Sequence, residues 1–296
     1  MAEIGFIGAG NMGGPMLANL VKAGHSVTAF DLSQAALDAA KEAGAAIAAS
    51  HGDAAAGCEA VITMLPAGAQ VREVYMGEGG VLERAAEGTL LIDCSTIDVT
   101  TAREVCDAAA VRGLEMLDAP VSGGTAGAEA GALTFMVGGA ESAFARCEGI
   151  LDPMAKTVVH AGPSGNGQTA KICNNMMLAA GMIVTSEAFA LADGLGLDRQ
   201  TMFDIVSTAT GQCWALTSYC PVPGPVPASP ANRDYQPGFT AAMMDKDLKL
   251  AQQAAEAAGV ATPVGVEAAR LYDQFCAEGN GALDFSGIFK LVDKGR

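Results

Sequence analysis

The sequence predicts an α/β domain, a parallel sheet covered by helices on both faces, followed by an all-α helical domain. Three observations carry that prediction. Short runs rich in Val, Ile, Leu and Phe recur through the first half of the 296-residue chain, separated by Ala-rich segments of helical period. The alternation stops near residue 162, and beyond it the apolar spacing is helical throughout. Gly162-Pro163-Ser164-Gly165 stands at the change, two glycines and a proline ahead of a helical stretch, and divides the chain into domains 1–162 and 163–296.

In order, the predicted strands are 4–7, 26–30, 61–65, 90–93, 114–117, 133–137 and 157–160, with helices near 12–22, 35–43, 70–75, 100–111 and 141–151. Strands that are apolar at nearly every position are buried on both faces, which parallel sheets require. The second half predicts helices from 168 to about 195, after Asp198, over 239–259 and 264–279, and a short one near 286–292. Residues 217–237 interrupt this pattern with six of the twelve prolines, which cannot sustain a helix at alternate positions. A loop of that length is either functional or mobile, or else a rigid extended strap on the surface.

Seventeen basic residues stand against 33 acidic ones, a net charge of −16. The excess is spread, with 8 basic against 20 acidic residues in 1–162 and 9 against 13 beyond. Such a surface disfavours nucleic acid and anionic membranes as partners. The opening MAEIGFIGAG has no basic segment ahead of its apolar run, so neither a secretory signal nor a transit peptide is expected. The most apolar helical stretch, 176–184, is nine residues long, against about 20 for a membrane span. Eight cysteines contain no CxxC and three histidines lie scattered. No metal site or disulfide framework is expected, and free thiols point to a reducing compartment, the cytoplasm.

The first strand runs into Gly8-Ala9-Gly10-Asn11-Met12-Gly13, a GxGxxG turn that opens a helix. Gly8 permits the tight turn, Gly10 lets a pyrophosphate reach the backbone, and Gly13 lets the helix pack closely. The free N–H groups of the helix start then favour the phosphates. A strand before, a helix after, and a second strand ending in Asp31, 21 residues beyond Gly10, make this a Rossmann-type dinucleotide-binding domain. Asp31 accepts hydrogen bonds from the adenosine ribose and repels a 2′-phosphate, and no Arg or Lys follows it in Leu32-Ser33-Gln34-Ala35-Ala36. The cofactor expected is NAD rather than NADP. The plainer alternative, that Asp31 only caps the next helix, is weaker because Ser33 is better placed to do so.

With no HExxH, GxSxG or Cys/His pair, acid/base chemistry must come from elsewhere. Lys171, in Gly165-x-Gly167-x-x-x-Lys171-x-x-x-Asn175, lies early on an apolar helix with Asn175 one turn later and Asn174 beside it. A cation and two amides there are either exposed or functional, because burial without partners is costly. The two glycines let another backbone or a ligand approach. Asp118-Ala119-Pro120-Val121-Ser122-Gly123-Gly124 follows a strand, at the carboxyl edge where open α/β sheets bind ligands. Ser122, Gly123 and Gly124 offer a hydroxyl and bare N–H groups to a carboxylate, or form an ordinary turn. Leu65, Pro66 and Ser95-Thr96 end the third and fourth strands, although Pro66 can simply stop its strand. Trp214, the only tryptophan, fits a core position as well as a ligand wall, and residues 245–249 fit a solvated charged face.

Four separated stretches together resemble the β-hydroxyacid dehydrogenase family: Phe6 to Met16, Asp118 to Gly124, Gly165 to Asn175, and Lys246-Asp247-Leu248. They span essentially the whole chain, and Ala9 departs from the Leu that relatives often carry. The resemblance implies a Rossmann domain and a helical domain with the active site between them, and a homodimer or homotetramer assembled through the helices. It implies Lys171 as catalytic acid/base and Asn175 as the residue that positions it and the substrate. It places the substrate carboxylate on Ser122, Gly123 and Gly124, sets Leu65, Pro66, Thr96 and Lys246 at the cofactor, and makes Asp247 a support of the site. Trp214 and the Pro-rich segment resemble the members that oxidise 3-hydroxyisobutyrate to methylmalonate semialdehyde, a step of valine breakdown. The glyoxylate and tartronate semialdehyde reductases often carry an Arg after the second strand, where this chain has Asp31-Leu32-Ser33. The substrate implied is therefore a small β-hydroxyacid, 3-hydroxyisobutyrate first, with L-serine or tartronate semialdehyde as alternatives. A noncatalytic NAD-binding scaffold is the alternative of another class, and it has no need of an acid/base at Lys171. Imine-reducing relatives typically replace that lysine. To accept a proton, Lys171 must lose its own well below the free value of about 10.4.

Overall fold

The computed structural model describes residues 1–293, which fall into two compact units, Met1–Lys171 and a second beginning at Ile172. In the first unit the strands are β1 (Glu3–Ile7), β2 (Ser26–Phe30), β3 (Ala46–Ile47), β4 (Ala60–Thr63), β5 (Leu90–Asp93), β6 (Glu115–Asp118), β7 (Val121–Ser122), β8 (Leu133–Gly138) and β9 (Ala155–Gly162). They form one sheet in the order β3-β2-β1-β4-β5-β6-β8-β7, with β9 also on β8. The helices are α1 (Gly13–Lys22), α2 (Gln34–Glu42), α3 (His51–Ala55), α4 (Gly68–Met76), α5 (Val81–Arg84), α6 (Val99–Val111), α7 (Gly124–Glu129) and α8 (Glu141–Leu151).

Burial on both faces explains the uniformly apolar strands. Ile4, Phe6, Ile62, Leu90 and Ile92 point into one core with Met16, Leu17 and Leu20 of α1. Ile7, Val61 and Leu91 point into the other with Val71 and Tyr75 of α4 and Val105 of α6. From β3 through β6 every pairing is parallel. The expectation of a parallel sheet fails at β8, which runs antiparallel to β6 and β7. Only ten residues separate Ser122 from Leu133, too few for the dozen or more of a parallel crossover. The 16 residues between β8 and β9 hold α8, and that pair is parallel.

The second unit takes over along α9 (Asn166–Gly194), followed by α10 (Arg199–Val206), α11 (Trp214–Thr217), α12 (Ala241–Ala258), α13 (Pro263–Phe275) and α14 (Phe289–Val292). Ala179, Met182 and Ile183 of α9 pack with Met244 and Leu248 of α12 and with Tyr272 and Phe275 of α13. Thr240 caps α12 by accepting the Met243 N–H, Gly259 ends it in the left-handed region, and Pro263 opens α13.

Two expectations need correction. The apolar stretch on α9 is not limited to nine residues: the 29-residue helix contains an 18-residue segment of mean hydropathy 1.4, long and apolar enough to cross a membrane by length and composition, with 44% of that segment buried in the protein. The segment 217–237 is not a surface strap either. Cys220, Val222, Ser229, Pro230, Ala231 and Tyr235 are buried, the Tyr235 hydroxyl donates to the Pro221 carbonyl at 2.8 Å, and residues Pro230–Arg233 form a 3₁₀ turn. Proline prevents a regular helix here without keeping the chain out of the core.

Candidate active site

The three glycines of the first turn separate by what surrounds them. Gly8 has φ +95° and donates its N–H to the Phe30 carbonyl at 2.9 Å, and a Cβ on it would strike the Met64 carbonyl. A Cβ on Gly13 would strike the Gly8 carbonyl, so α1 can start this close to the turn only without one. Around Gly10 nothing lies within 4 Å of where a Cβ would stand. Space at Gly10 and bare N–H groups at the helix start fit a pyrophosphate. Asn11 is exposed and Met12 half-buried beside it, and a cavity of about 650 Å³ opens there, lined by Ala9, Gly10, Asn11, Ser33 and the alanines of α2. Asp31 accepts the Ala9 N–H at 2.7 Å and the Ser33 N–H at 2.8 Å. Its carboxylate thus sits against the turn with lone pairs left for ribose hydroxyls. Ser33 caps α2 through the Ala36 N–H, as the sequence indicates.

At the carboxyl ends of β4 and β5 lies a buried network that sequence reasoning missed. Asp93, 1% exposed, accepts from the Thr63 hydroxyl at 2.7 Å and from the hydroxyl and N–H of Ser95. Burial pushes its carboxyl above the usual carboxylate range against those donors. The Tyr75 hydroxyl meets Thr63 at 3.0 Å, and the Leu65 N–H donates to the Ser95 hydroxyl at 2.8 Å. The chain at Leu65-Pro66 and the chain around Thr96 are held through this one carboxylate. A lone Asp ending the apolar strand LLID was the available signal.

The end of β6 anchors the start of α9. Asp118 accepts the Gly165 N–H at 2.7 Å and the Gln168 N–H at 2.9 Å, satisfying donors that a helix start leaves open. Burial nevertheless raises its carboxyl to about 6. The backbones come so close that a Cβ on Gly167 would strike the Asp118 and Met136 carbonyls. Of the two glycines before Lys171, Gly167 therefore admits another backbone, whereas Gly165 makes room for the Arg103 side chain. Lys171 is buried, 8% exposed, in the second turn of this anchored helix. From β7, Ser122 leads into Gly123 at φ +142° and Gly124 at φ +63°, where α7 starts.

Within the second unit, Asn175 and Asp247 meet. The Asn175 amide donates to the Asp247 carboxylate at 2.6 Å with both residues buried, and the Lys246 ammonium lies 3.4 Å from the other carboxylate oxygen. Trp214 is half exposed rather than a core residue; it stacks on Tyr219 at 5.0 Å, and Tyr219 stacks in turn on Phe285. The 245–249 run is not one solvated face as its charges suggest: Asp247 and Leu248 are buried, and Lys249 is exposed, bridging Asp245 and Asp273.

A family model described as the NAD binding domain of 6-phosphogluconate dehydrogenase matches residues 3–162. A second, described as NAD-binding of NADP-dependent 3-hydroxyisobutyrate dehydrogenase, matches residues 165–292. A Mycobacterium bovis protein named probable 3-hydroxyisobutyrate dehydrogenase is 51% identical, covering 99% of this chain and 98% of its own. A Pseudomonas aeruginosa protein named NAD-dependent L-serine dehydrogenase is 48% identical with the same coverage. The solved structure of Mycobacterium tuberculosis 3-hydroxyisobutyrate dehydrogenase with L-serine superposes with a TM-score of 0.94 at 50% identity, covering 99% of each chain. NAD is the cofactor supported by the first family model, by the name of the Pseudomonas relative and by the Asp31 carboxylate at the turn. The chain belongs to the 3-hydroxyisobutyrate dehydrogenase family of NAD-dependent oxidoreductases.

Proposed function

We propose that the protein oxidises 3-hydroxyisobutyrate to methylmalonate semialdehyde, with Lys171 as general acid/base. The observation that carries this reading is the burial of the Lys171 amine on a helix start anchored to the carboxyl edge of the sheet. Bound NAD supplies the hydride acceptor. Lys171, unprotonated in this direction, takes the hydroxyl proton as the carbinol C–H bond breaks and the carbonyl forms. Ser122 and the Gly123 and Gly124 N–H groups hold the substrate carboxylate and orient that carbon. Asn175, braced by Asp247, positions substrate and amine. Trp214 contributes its half-exposed ring to substrate binding, while Gly8, Gly10, Asn11, Met12, Gly13, Asp31, Leu65, Pro66, Thr96 and Lys246 serve the cofactor.

L-Serine is the second reading, favoured by the Pseudomonas relative's name and by the ligand in the Mycobacterium tuberculosis structure. Reduced-cofactor formation with 3-hydroxyisobutyrate, L-serine and glycerate, the alcohol form of tartronate semialdehyde, each with NAD and NADP, separates the readings. The highest kcat/KM on 3-hydroxyisobutyrate with NAD supports the first reading, and a preference for serine replaces it. No turnover on any of them favours a noncatalytic scaffold.

The partner expected is a second copy of the chain. Met177, Val184 and Leu191 of α9 are all exposed and spaced by seven residues on one helix face, and Leu195, just past its end, is exposed too. A sedimentation mass of one chain would refute this. Eight free cysteines support a cytoplasmic setting.

A further inference from the structure

We propose that Gln168 is a positioning residue of this dehydrogenase, its side-chain amide fixing the main chain on both sides of Thr96 while its helix carries that register to Lys171. The inference rests on the reading of Lys171 and Thr96 given above. Gln168 is wholly buried. Its Oε1 accepts the Ile97 N–H at 3.1 Å and its Nε2 donates to the Ser95 carbonyl at 2.7 Å. These are the two bonds that a residue on a parallel neighbouring strand makes around one partner. The amide thus acts as a one-residue strand and holds Thr96 from both flanks beyond the end of β5.

The grip extends in both directions. Ser95 passes it through its hydroxyl to Asp93 and the Leu65 N–H, reaching the end of β4. The Gln168 N–H ties the same residue to Asp118 at the end of β6. Lys171 follows three positions later, the spacing that brings side chains to one helix face. One residue therefore sets the distance between the chain that meets the cofactor and the amine that takes the proton.

Packing alone does not ask for glutamine here. Asp118 already satisfies the helix start, and Leu or Met would fill the same space without the cost of burying an amide. Only an amide carries a donor and an acceptor on one rigid plane. An ionised Glu accepts only and would face the Ser95 carbonyl with a second acceptor.

The test uses the full-length protein with Gln168→Met, Gln168→Glu and a control, Tyr272→Phe, which removes a buried hydrogen bond to the Phe285 carbonyl in the second unit. NADH affinity is read by fluorescence titration, and the primary deuterium isotope effect on kcat/KM is read with substrate deuterated at the carbinol carbon. The expected result is NADH binding weakened about tenfold or more in both Gln168 variants, as the loss of one or two buried hydrogen bonds implies, with a larger isotope effect. The control should leave both quantities unchanged even where its Tm falls as far. Affinity and isotope effect within twofold of wild type, whatever the Tm, would overturn the proposal. Should either variant fail to fold, amide exchange on the wild-type protein decides. Ile97 must be protected like the strand amides and gain protection with NADH, and exchange at the rate of an open loop sinks the idea. The affinity and exchange readouts stand even if no β-hydroxyacid is turned over, so this inference and the proposed reaction can fail separately.

Discussion

Neutralising Asp118 should make the protein relatively more stable as pH rises, the opposite of what loss of a helix-anchoring carboxylate suggests. Asp118 accepts two N–H groups at the start of α9, yet burial raises it from 3.8 to about 6. A carboxyl raised on folding leaves the unfolded chain ionising first. Its contribution is therefore whole below about pH 4 and is lost as pH climbs through about 6. A shift of that size corresponds to roughly 3 kcal/mol, of which about 1.4 kcal/mol falls between about pH 5 and 7.5. Asp118→Asn keeps one acceptor, turns an N–H₂ toward one of the two donors, and does not titrate. It should start less stable by about 1–3 kcal/mol at the acid end and recover about half or more of that by pH 7.5. Urea unfolding of both proteins across that range, followed in the first unit by the amides of Gly165 and Gln168, measures the difference directly. A wild type that gains on the variant as pH rises would mean that the two N–H bonds outweigh burial and hold the carboxyl below its ordinary value.

Lys171→Ala should lower kcat by about 10²–10⁴-fold or more while NADH binding stays near wild type; a loss under tenfold removes the amine from the proton transfer, as does a kcat/KM profile flat through the alkaline range. Gly10→Ala and Gly13→Ala should part company. The first finds open space and should weaken NADH binding about tenfold with little change in Tm, whereas the second drives a Cβ into the Gly8 carbonyl and should cost about 1–3 kcal/mol of stability. Equal effects on both quantities would contradict the placement of the pyrophosphate. Asp31→Ser should shift the NADP to NAD ratio of kcat/KM toward NADP by about ten- to hundredfold, the order of one screened charge pair, and an unchanged ratio would show that Asp31 serves only the Ala9 and Ser33 amides.

Legibility in the sequence followed locality. β2 and β5 lie where the sequence places them: β5, buried along its length, reads Leu-Leu-Ile before Asp93, while β2 alternates buried Val27 and Ala29 with less buried neighbours. The two-residue strands β3 and β7 and the short helices α3, α5 and α7 had no period long enough to register. The antiparallel course of β8 depends on the length of a connection, not on the composition of the strand. Trp214 misleads as a core candidate because one ring face is covered by Tyr219 while the other stays open. The bonds from Thr63 to Asp93, from Leu65 to Ser95 and from Gln168 to Ser95 and Ile97 cross 30 to 73 residues of chain, and no spacing within one segment announces them.

The segment Gly165-Asn166-Gly167-Gln168-Thr169-Ala170-Lys171 shows what a chemical motif is made of. Gly165, at φ +86°, gives its N–H to Asp118, and the Asn166 amide donates to the Ala161 carbonyl at 2.8 Å. Gly167 leaves room for two carbonyls, Gln168 holds the chain around Thr96, and the Thr169 hydroxyl closes back on the Gly165 carbonyl at 2.9 Å. Five of the six residues before Lys171 thus serve to fix one helix start against the sheet edge. Lys171 differs from them in kind: it is a titratable cation buried early on the helix, and burying such a group is costly. A motif built mostly of anchoring residues and ending in a buried titratable group is what preorganisation requires. The anchors absorb the conformational entropy in advance, so that in the proposed role of Lys171 the amine would meet its proton at a set distance without reordering the chain.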